Sequence, residues 1–449
     1  MIDATTRYRS YLLTVLLIVF AFNGFDRVAL GVVMQDMKGE LALSDTELGL
    51  LSGIAFALFY AVMGIPIARW ADRGNRVTII SLTAAVWSIS VALCAAVTSF
   101  TQLLLVRVCV AVGEAGCVPP AHSLIADYFP RAERPRALSR YMLGGPLAFT
   151  VGYFAAGWLN QLYGWRTTFV ILGLPGVVLA LIAWITLKEP RRLAARRAAM
   201  PVDSSAAAEE PAPVPVPGLK EVFATLLSNP SFRHLLFCFS TWSFFGYGIL
   251  QWLPTFLIRS HGLETGAIGT ALALIYGIGG GVGLYLGGEV ASRYARGNER
   301  LQLRLGAGAF VLFGAITAIA FAVSNDYLAF ATFAIAAIGG NLAQGPMLAT
   351  LQTLVQPRMR ATSIAIIYLF SNLIGLGLGP LAVGALSDAF QPWAGQESLR
   401  YSLIALCPGY LWAGWHLWRA SNTVVRDLAA ALVEHPRVAP VQAAFAGAE

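Results

Sequence analysis

Apolar runs of about twenty residues, each long enough to cross a bilayer, alternate with short polar segments along nearly the whole chain. Their length favours helices over strands. They predict twelve helices, numbered α1–α12, at 11–34, 47–69, 77–98, 101–125, 137–161, 167–187, 232–258, 265–290, 301–322, 327–353, 362–386 and 399–419. Glycine and proline inside several runs fit membrane helices, where neighbouring helices satisfy the freed backbone groups. The first run starts near Tyr11, is long enough to span, and has no cleavage-site pattern behind it, so it reads as a retained helix. The expected fold class is an all-α integral membrane protein.

One long polar stretch breaks the rhythm. Residues 191–228 open basic with Arg191, Arg192, Arg196 and Arg197, then become rich in alanine and proline, and read as a cytoplasmic linker. The expected organisation is a six-helix bundle over 1–190, the linker, a second six-helix bundle over 229–420, and a tail over 421–449. The halves repeat. Ala68-Arg-Trp-Ala-Asp72-Arg73 after α2 aligns with Gly288-Glu-Val-Ala-Ser292-Arg293 after α8, and Arg136-Ala-Leu-Ser139 before α5 with Arg360-Ala-Thr-Ser363 before α11. Two matches at nearly one offset indicate parallel, pseudo-symmetric repeats, an arrangement that puts a substrate site between the halves near mid-membrane.

Composition agrees with the pattern. The hydrophobic fraction is 57% and the charged fraction 12%, half of the ~25% usual in soluble chains. A larger core cannot hide that deficit, so apolar surface must face lipid. The net charge of +7 is not a nucleic-acid signal, because it lies in the loops without a basic, aromatic-interleaved patch. With the N-terminus inside, only Lys38, Arg166, Arg259 and Arg400 fall on the outer side, and Arg27 and Arg107 lie within spans. All other lysines and arginines are inner, which predicts that both termini are cytoplasmic; the expected location is the cell (inner) membrane. The five cysteines sit in apolar runs without a CxxC pair and look like small buried side chains.

Ionisable groups inside a bilayer are costly and mark function by default. Clear of span ends there are four: Asp26, Arg27, Arg107 and Glu114. Arg107 and Glu114 are two turns apart on one face of α4, whereas Asp26 and Arg27 diverge by roughly 100° around α1. Counting the helical rise from the outer ends puts Asp26 and Arg27 about 10–12 Å deep, Arg107 about 9 Å and Glu114 near 20 Å. Asp26 is therefore level with Arg107, and Arg27 reaches Glu114 only by extending inward. An apolar pair would join two helices at less desolvation cost; a carboxylate that can be neutralised gives a retained charge cluster a purpose. The second half offers uncharged polar groups: Tyr247 and Gln251 on α7, Tyr276 on α8, Asn341 and Gln344 on α10, and Asn372 on α11. Each is a candidate cavity residue, although helix packing explains such a residue more often than ligand binding.

Other chemistries find little support. Lys38, Lys188 and Lys220 are the lysines, and none sits in a GK[ST] nucleotide loop. The five histidines are scattered; His122, near the charged helix, reads as a packing residue. No enzyme activity, cofactor or metal is expected.

The motifs resemble those of the major facilitator superfamily. Asp72-Arg73-Gly74-Asn75-Arg76 between α2 and α3 is similar to its loop signature, with Ala68 where the family carries glycine. The resemblance implies that Asp72, Arg73 and Arg76 latch the cytoplasmic side, an acidic residue there facing a helix N-terminus of the opposite half. Arg107 followed by Gly113 and Gly116 resembles a second signature. Asn23-Gly-Phe-Asp26-Arg27, Gly113-Glu114-Ala115, Ser123-Leu-Ile-Ala-Asp127-Tyr-Phe-Pro130, Gly164-Trp165-Arg166, Trp252-Leu-Pro254-Thr-Phe256 and Gly377-Leu-Gly-Pro380 together resemble the spinster-like branch, from about residue 11 to 420. The resemblance implies that Asp26, Arg27 and Glu114 are the functional charges. The expected activity is secondary active transport of a small amphipathic or anionic solute, lipid-like or an organic acid, by alternating access with proton coupling. The expected partners are that solute, protons and membrane lipids, without nucleic acid, and the expected state is a monomer. The alternatives are a non-transporting membrane sensor on the same fold, or a drug or organic-acid carrier unrelated to lipids.

Overall fold

The computed structural model describes residues 3–130, 133–190, 219–355 and 359–434. Helices dominate the described residues, and nine helical runs are long and apolar enough to cross a membrane. Two of the nine are double: Arg136–Thr186 holds α5 and α6, and Thr362–Ala430 holds α11 and α12. The remaining span, α7, is the helix Pro230–His261. The twelve-helix, two-bundle fold read from the apolar pattern is thus present.

The helices are less regular than an apolar pattern reveals. α1 runs unbroken over Asp3–Leu41. α2 is split at Gly53 into Asp45–Ser52 and Ile54–Arg73, and α3 is Arg76–Leu93. α4 breaks after Glu114 into Phe100–Glu114 and Val118–Tyr128, with prolines at the start of the second piece. α5 breaks at Leu143, after the short helix Arg134–Met142. It then continues through Gly144–Thr186 into α6, the chain reversing at Gly164 with φ 76°, a region that favours glycine.

The second half repeats these interruptions. α8 passes from Thr265–Leu272 through a π-helical stretch, Ala273–Gly279, to Gly280–Tyr294. α9 is Glu299–Ala322, and α10 breaks between Asp326–Gly340 and Gln344–Leu354. α11 passes from Arg360–Phe370 through π-helical Ser371–Leu378 to Gly379–Ala394. α12 comprises Ser398–Leu406 and Gly409–Glu434. Breaks in α2, α4 and α5 therefore have counterparts in α8, α10 and α11, an echo of the repeat that the loop motifs disclosed.

Parts of the linker and of the tail are helical. Residues 191–218 of the linker lie outside the described residues, but its last part folds as the helix Leu219–Ser228. Apolar residues at 219, 222, 223, 226 and 227 follow a helical period, and Leu226 joins the core around Phe232, Phe239, Phe310 and Leu351. The first part of the tail continues α12 to Glu434; residues 435–449 lie outside the described residues.

The chain forms two compact units whose limits cut across the six-plus-six division. The first comprises Met1–Ala212, Tyr247–Ile278 and Leu376–Ser402, so the middle and end of α7, the start of α8 and the end of α11 belong with the first six helices. The second comprises Pro213–Gly246, Gly279–Gly375 and Leu403–Glu449.

Glycines set the packing inside the first unit. A Cβ at Gly157 on α5 would collide with the Thr265 carbonyl, and one at Gly269 on α8 with the Tyr153 carbonyl. The two backbones touch there, a contact only small residues allow. Asn160, Trp158 and Gln161 of α5 surround the crossing with hydrogen bonds to Thr265, Thr270 and Glu264. In the second unit, α9 and α12 pack as a pair around Leu303, Phe310 and Leu417.

Candidate functional site

The four interior charges meet in the first unit as two ion pairs. Arg107 Nη1 donates to Asp26 Oδ2 at 2.6 Å. Arg27 donates through Nε to Glu114 Oε2 at 2.9 Å, and its Nη2 binds the same oxygen. Arg27 thus extends along α1 to reach the deeper carboxylate. Glu114 is the last residue before α4 breaks, and its main-chain carbonyl accepts from Asn23 Nδ2 at 3.5 Å.

The pairs differ in access. Asp26, Arg107 and Glu114 are 3%, 1% and 0% exposed, whereas the Arg27 side chain is 33% exposed. The ring of buried Phe56, on the long piece of α2, lies against both cations: Arg27 is 4.7 Å and Arg107 5.3 Å from its centroid. Tyr60, one turn on, lies 5.2 Å from Arg27. An aromatic face offers favourable electrostatics to a guanidinium that has lost water.

Satisfaction is incomplete. Asp26 Oδ1, Glu114 Oε1 and Arg107 Nε have no hydrogen-bond partner, and the carboxyl groups of Asp26 and Glu114 are close enough to interact electrostatically. Buried polar atoms are rarely left so. Each carboxylate thus keeps one oxygen outside its ion pair.

The polar candidates of the second half divide. Tyr247, Gln251 and Tyr276 fall in the first unit; Asn341, Gln344 and Asn372 in the second. Tyr247 lies within electrostatic reach of Arg27, Gln251 Nε2 contacts Met34 Sδ at 3.4 Å, and the Tyr276 ring is 6.4 Å from Tyr153. Asn341 bonds the Ala337 carbonyl of its own helix at 2.8 Å, which is packing. Position is more informative than contact here. Tyr276 and Asn372 lie inside the π-helical stretches, and Asn341 and Gln344 flank the break in α10. π-turns interrupt regular helices frequently at functional sites.

The members of the loop signature differ in burial. Asp72 and Arg73 are exposed, but Arg76 is buried and binds within its own unit. It binds Glu189 and Asp127 and donates to the hydroxyl of Ser123 at 2.9 Å. Arg76 is therefore a bundle-internal clamp joining α3, α4 and the end of α6. A fully desolvated guanidinium needs this many acceptors, and its own bundle supplies them.

A second charged cluster escaped sequence reasoning. At the other end of the unit, Asp45 opens α2, is 2% exposed, and binds Arg259 of α7, Lys38 of α1 and Ser387 of α11. Asp388 of α11 accepts from the main-chain N–H groups of Asp45 and Thr46 at 3.1 and 2.8 Å, a carboxylate on a helix N-terminus. Ser44 and Glu47 complete a capping box. The Ser44-Asp-Thr-Glu47 spelling announces that box, and it was the available signal.

Known proteins resemble this chain in sequence and fold. Residues 16–418 match the family model described as Major Facilitator Superfamily. An MFS-type efflux pump of Mycolicibacterium smegmatis is 33% identical over 92% of this chain and 93% of its own. Protein spinster homolog 1 of Xenopus tropicalis is 27% identical over 87% of this chain and 77% of its own. A crystal structure of a bacterial homolog to the human lysosomal transporter spinster, inward-facing and unoccupied, superposes with TM-score 0.83 at 31% identity, covering 94% of this chain and 98% of that one. With its interior charges on α1 and α4 and its twelve repeated helices, this chain belongs to the Major Facilitator Superfamily and is a spinster-like membrane transporter, not an enzyme.

Proposed function

We propose that the protein carries a small anionic or amphipathic solute by alternating access, coupled to protons through the Asp26–Arg107 and Arg27–Glu114 pairs. One observation carries this reading: Arg27 alone of the four is substantially exposed, yet it is held by the fully sealed Glu114. An anionic headgroup reaching Arg27 competes with Glu114 for the same guanidinium. A displaced carboxylate cannot stay charged and unpaired at that depth, so it takes a proton as solute binds and returns it when Arg27 comes back. The unpartnered oxygens of Asp26 and Glu114 supply the place for that proton. Tyr247, which interacts electrostatically with Arg27, is a candidate for the uncharged wall of the solute site.

Orientation follows from the charge pattern. The basic loops put the Arg76 end of the first unit in the cytoplasm and the Asp45 end outside. The Asp45 cluster then serves as the outer closure, and exposed Asp72 and Arg73 remain candidates for the cytoplasmic one.

Flux in proteoliposomes tests the proposal, with lysolipids, organic acids and apolar drugs as solutes. Glu114→Gln, a mimic of the protonated group, is expected to keep solute exchange and lose accumulation driven by a pH gradient. Arg27→Ala is expected to lose both. Undiminished accumulation by Glu114→Gln would move the coupling role away from this pair, and exchange undiminished in Arg27→Ala would remove the anion from the reading.

A further inference from the structure

We propose that the start of α7 and the facing part of α12 form a binding site for the phosphate of an anionic phospholipid. His234 Nδ1 lies 3.1 Å from His416 Nδ1. Two ring nitrogens at that distance cannot both be bare: one carries a proton and donates to the other. Arg233, beside His234, and Arg419, one turn beyond His416, are both close enough to act electrostatically on His234. Both arginines are exposed, and among the described residues neither meets a carboxylate within ion-pair distance. Asp427, further along α12, is occupied by Ser231 and Arg426. Among the described residues, two guanidinium groups and a histidine pair therefore gather without a paired carboxylate.

The surroundings choose which anion. Trp415 is half exposed, lies edge-on to His234 at 6.1 Å and to His416 at 4.8 Å, and has the Arg419 guanidinium 5.8 Å from its ring. Phe237, one turn beyond Arg233, is also half exposed. Tryptophan with arginine at the end of a spanning helix marks the headgroup level. A phosphodiester at that level offers two free oxygens to guanidinium forks, and its acyl chains extend over the exposed Phe237 and Trp415. Inorganic or soluble phosphate finds the same donors without the apolar surface. Basic pockets between spanning helices bind anionic headgroups by this combination.

Native mass spectrometry of the full-length protein tests the site, using phosphatidylglycerol, phosphatidylcholine and glycerol 3-phosphate as probes. The parent is expected to retain phosphatidylglycerol in preference to both others. Losing an interfacial arginine weakens such binding about fivefold, so Arg233→Gln with Arg419→Gln is expected to lose on the order of 25-fold. Arg293→Gln, at an exposed arginine of α8 paired with Glu289, should retain lipid like the parent. The Arg233→Lys, Arg419→Lys variant keeps the charge and should retain clearly more than the glutamine variant. Parental retention by the glutamine variant overturns the proposal. So does a lysine variant no better than the glutamine one, or glycerol 3-phosphate held as tightly as the lipid.

Discussion

Asp45 receives both terminal nitrogens of Arg259, each at 2.7 Å, in a two-pronged pair that ties the first turn of α2 to α7. The same carboxylate takes Lys38 at 2.6 Å and the Ser387 hydroxyl at 2.7 Å. With Asp388 on the adjacent N-terminus, two acids face two bases. The cluster is neutral as a whole, and losing any one member leaves an unbalanced charge in a poorly hydrated place.

Asp45→Asn is therefore expected to loosen this end. Removing one partner of a buried pair costs about 3–5 kcal/mol, enough to shift a conformational balance. Spin labels at positions 42 and 391, both exposed and at this end, should report a longer and broader distance in the variant. An unchanged distribution would make Asp45 a local cap without closing function.

The sealed pair on α1 and α4 should behave as a unit. Asp26→Asn or Arg107→Gln alone strands a buried charge, at a cost of about 3–5 kcal/mol. Combining them removes both charges, so the double variant should melt higher than either single. Thermal denaturation of the purified protein reads this directly, and strict additivity of the two losses would mean that the residues are not coupled.

Two arginines of one loop motif should part company. Arg76→Gln abandons Glu189 and Asp127 and should cost roughly 3 kcal/mol or more, lowering thermal stability and expression. Arg73→Gln changes an exposed side chain and should leave the melting temperature nearly unmoved. Equal effects would contradict the burial of Arg76.

Backbone contact between α5 and α8 should not tolerate a methyl group. Gly157→Ala places a Cβ against the Thr265 carbonyl, and overpacking of this kind costs about 1–3 kcal/mol. The expected result is lower stability or forced separation of those helices, seen as faster labelling of a cysteine introduced at Thr265. Gly64→Ala, where added bulk meets nothing within 4 Å, is the matched control.

Spans, repeat and interior charges were readable from the chain because lipid makes each of them costly to fake. A twenty-residue apolar run has few other uses, and a charge in mid-span needs a reason. Even the level of Asp26 with Arg107 followed from rise per residue. Clusters at helix ends were harder, because Asp45, Asp388 and Arg259 look like ordinary loop charges until three distant segments meet. The same holds for Arg76: the motif identifies it, but only tertiary structure says which bundle supplies its acceptors. Helix irregularity was hidden for another reason. Gly-rich runs permit π-turns at Ala273–Gly279 and Ser371–Leu378 without requiring them.

Those π-turns coincide with limits of the compact units. Two limits between the compact units, after Ile278 and after Gly375, fall inside or at the edge of these stretches rather than in any loop. A single helix there is shared property: one part is anchored to the first six helices, the other to the rest, with a mismatched turn of hydrogen bonds between. Tyr276 and Asn372 lie in these interruptions, where α8 and α11 each pass from one compact unit to the other without leaving the helix.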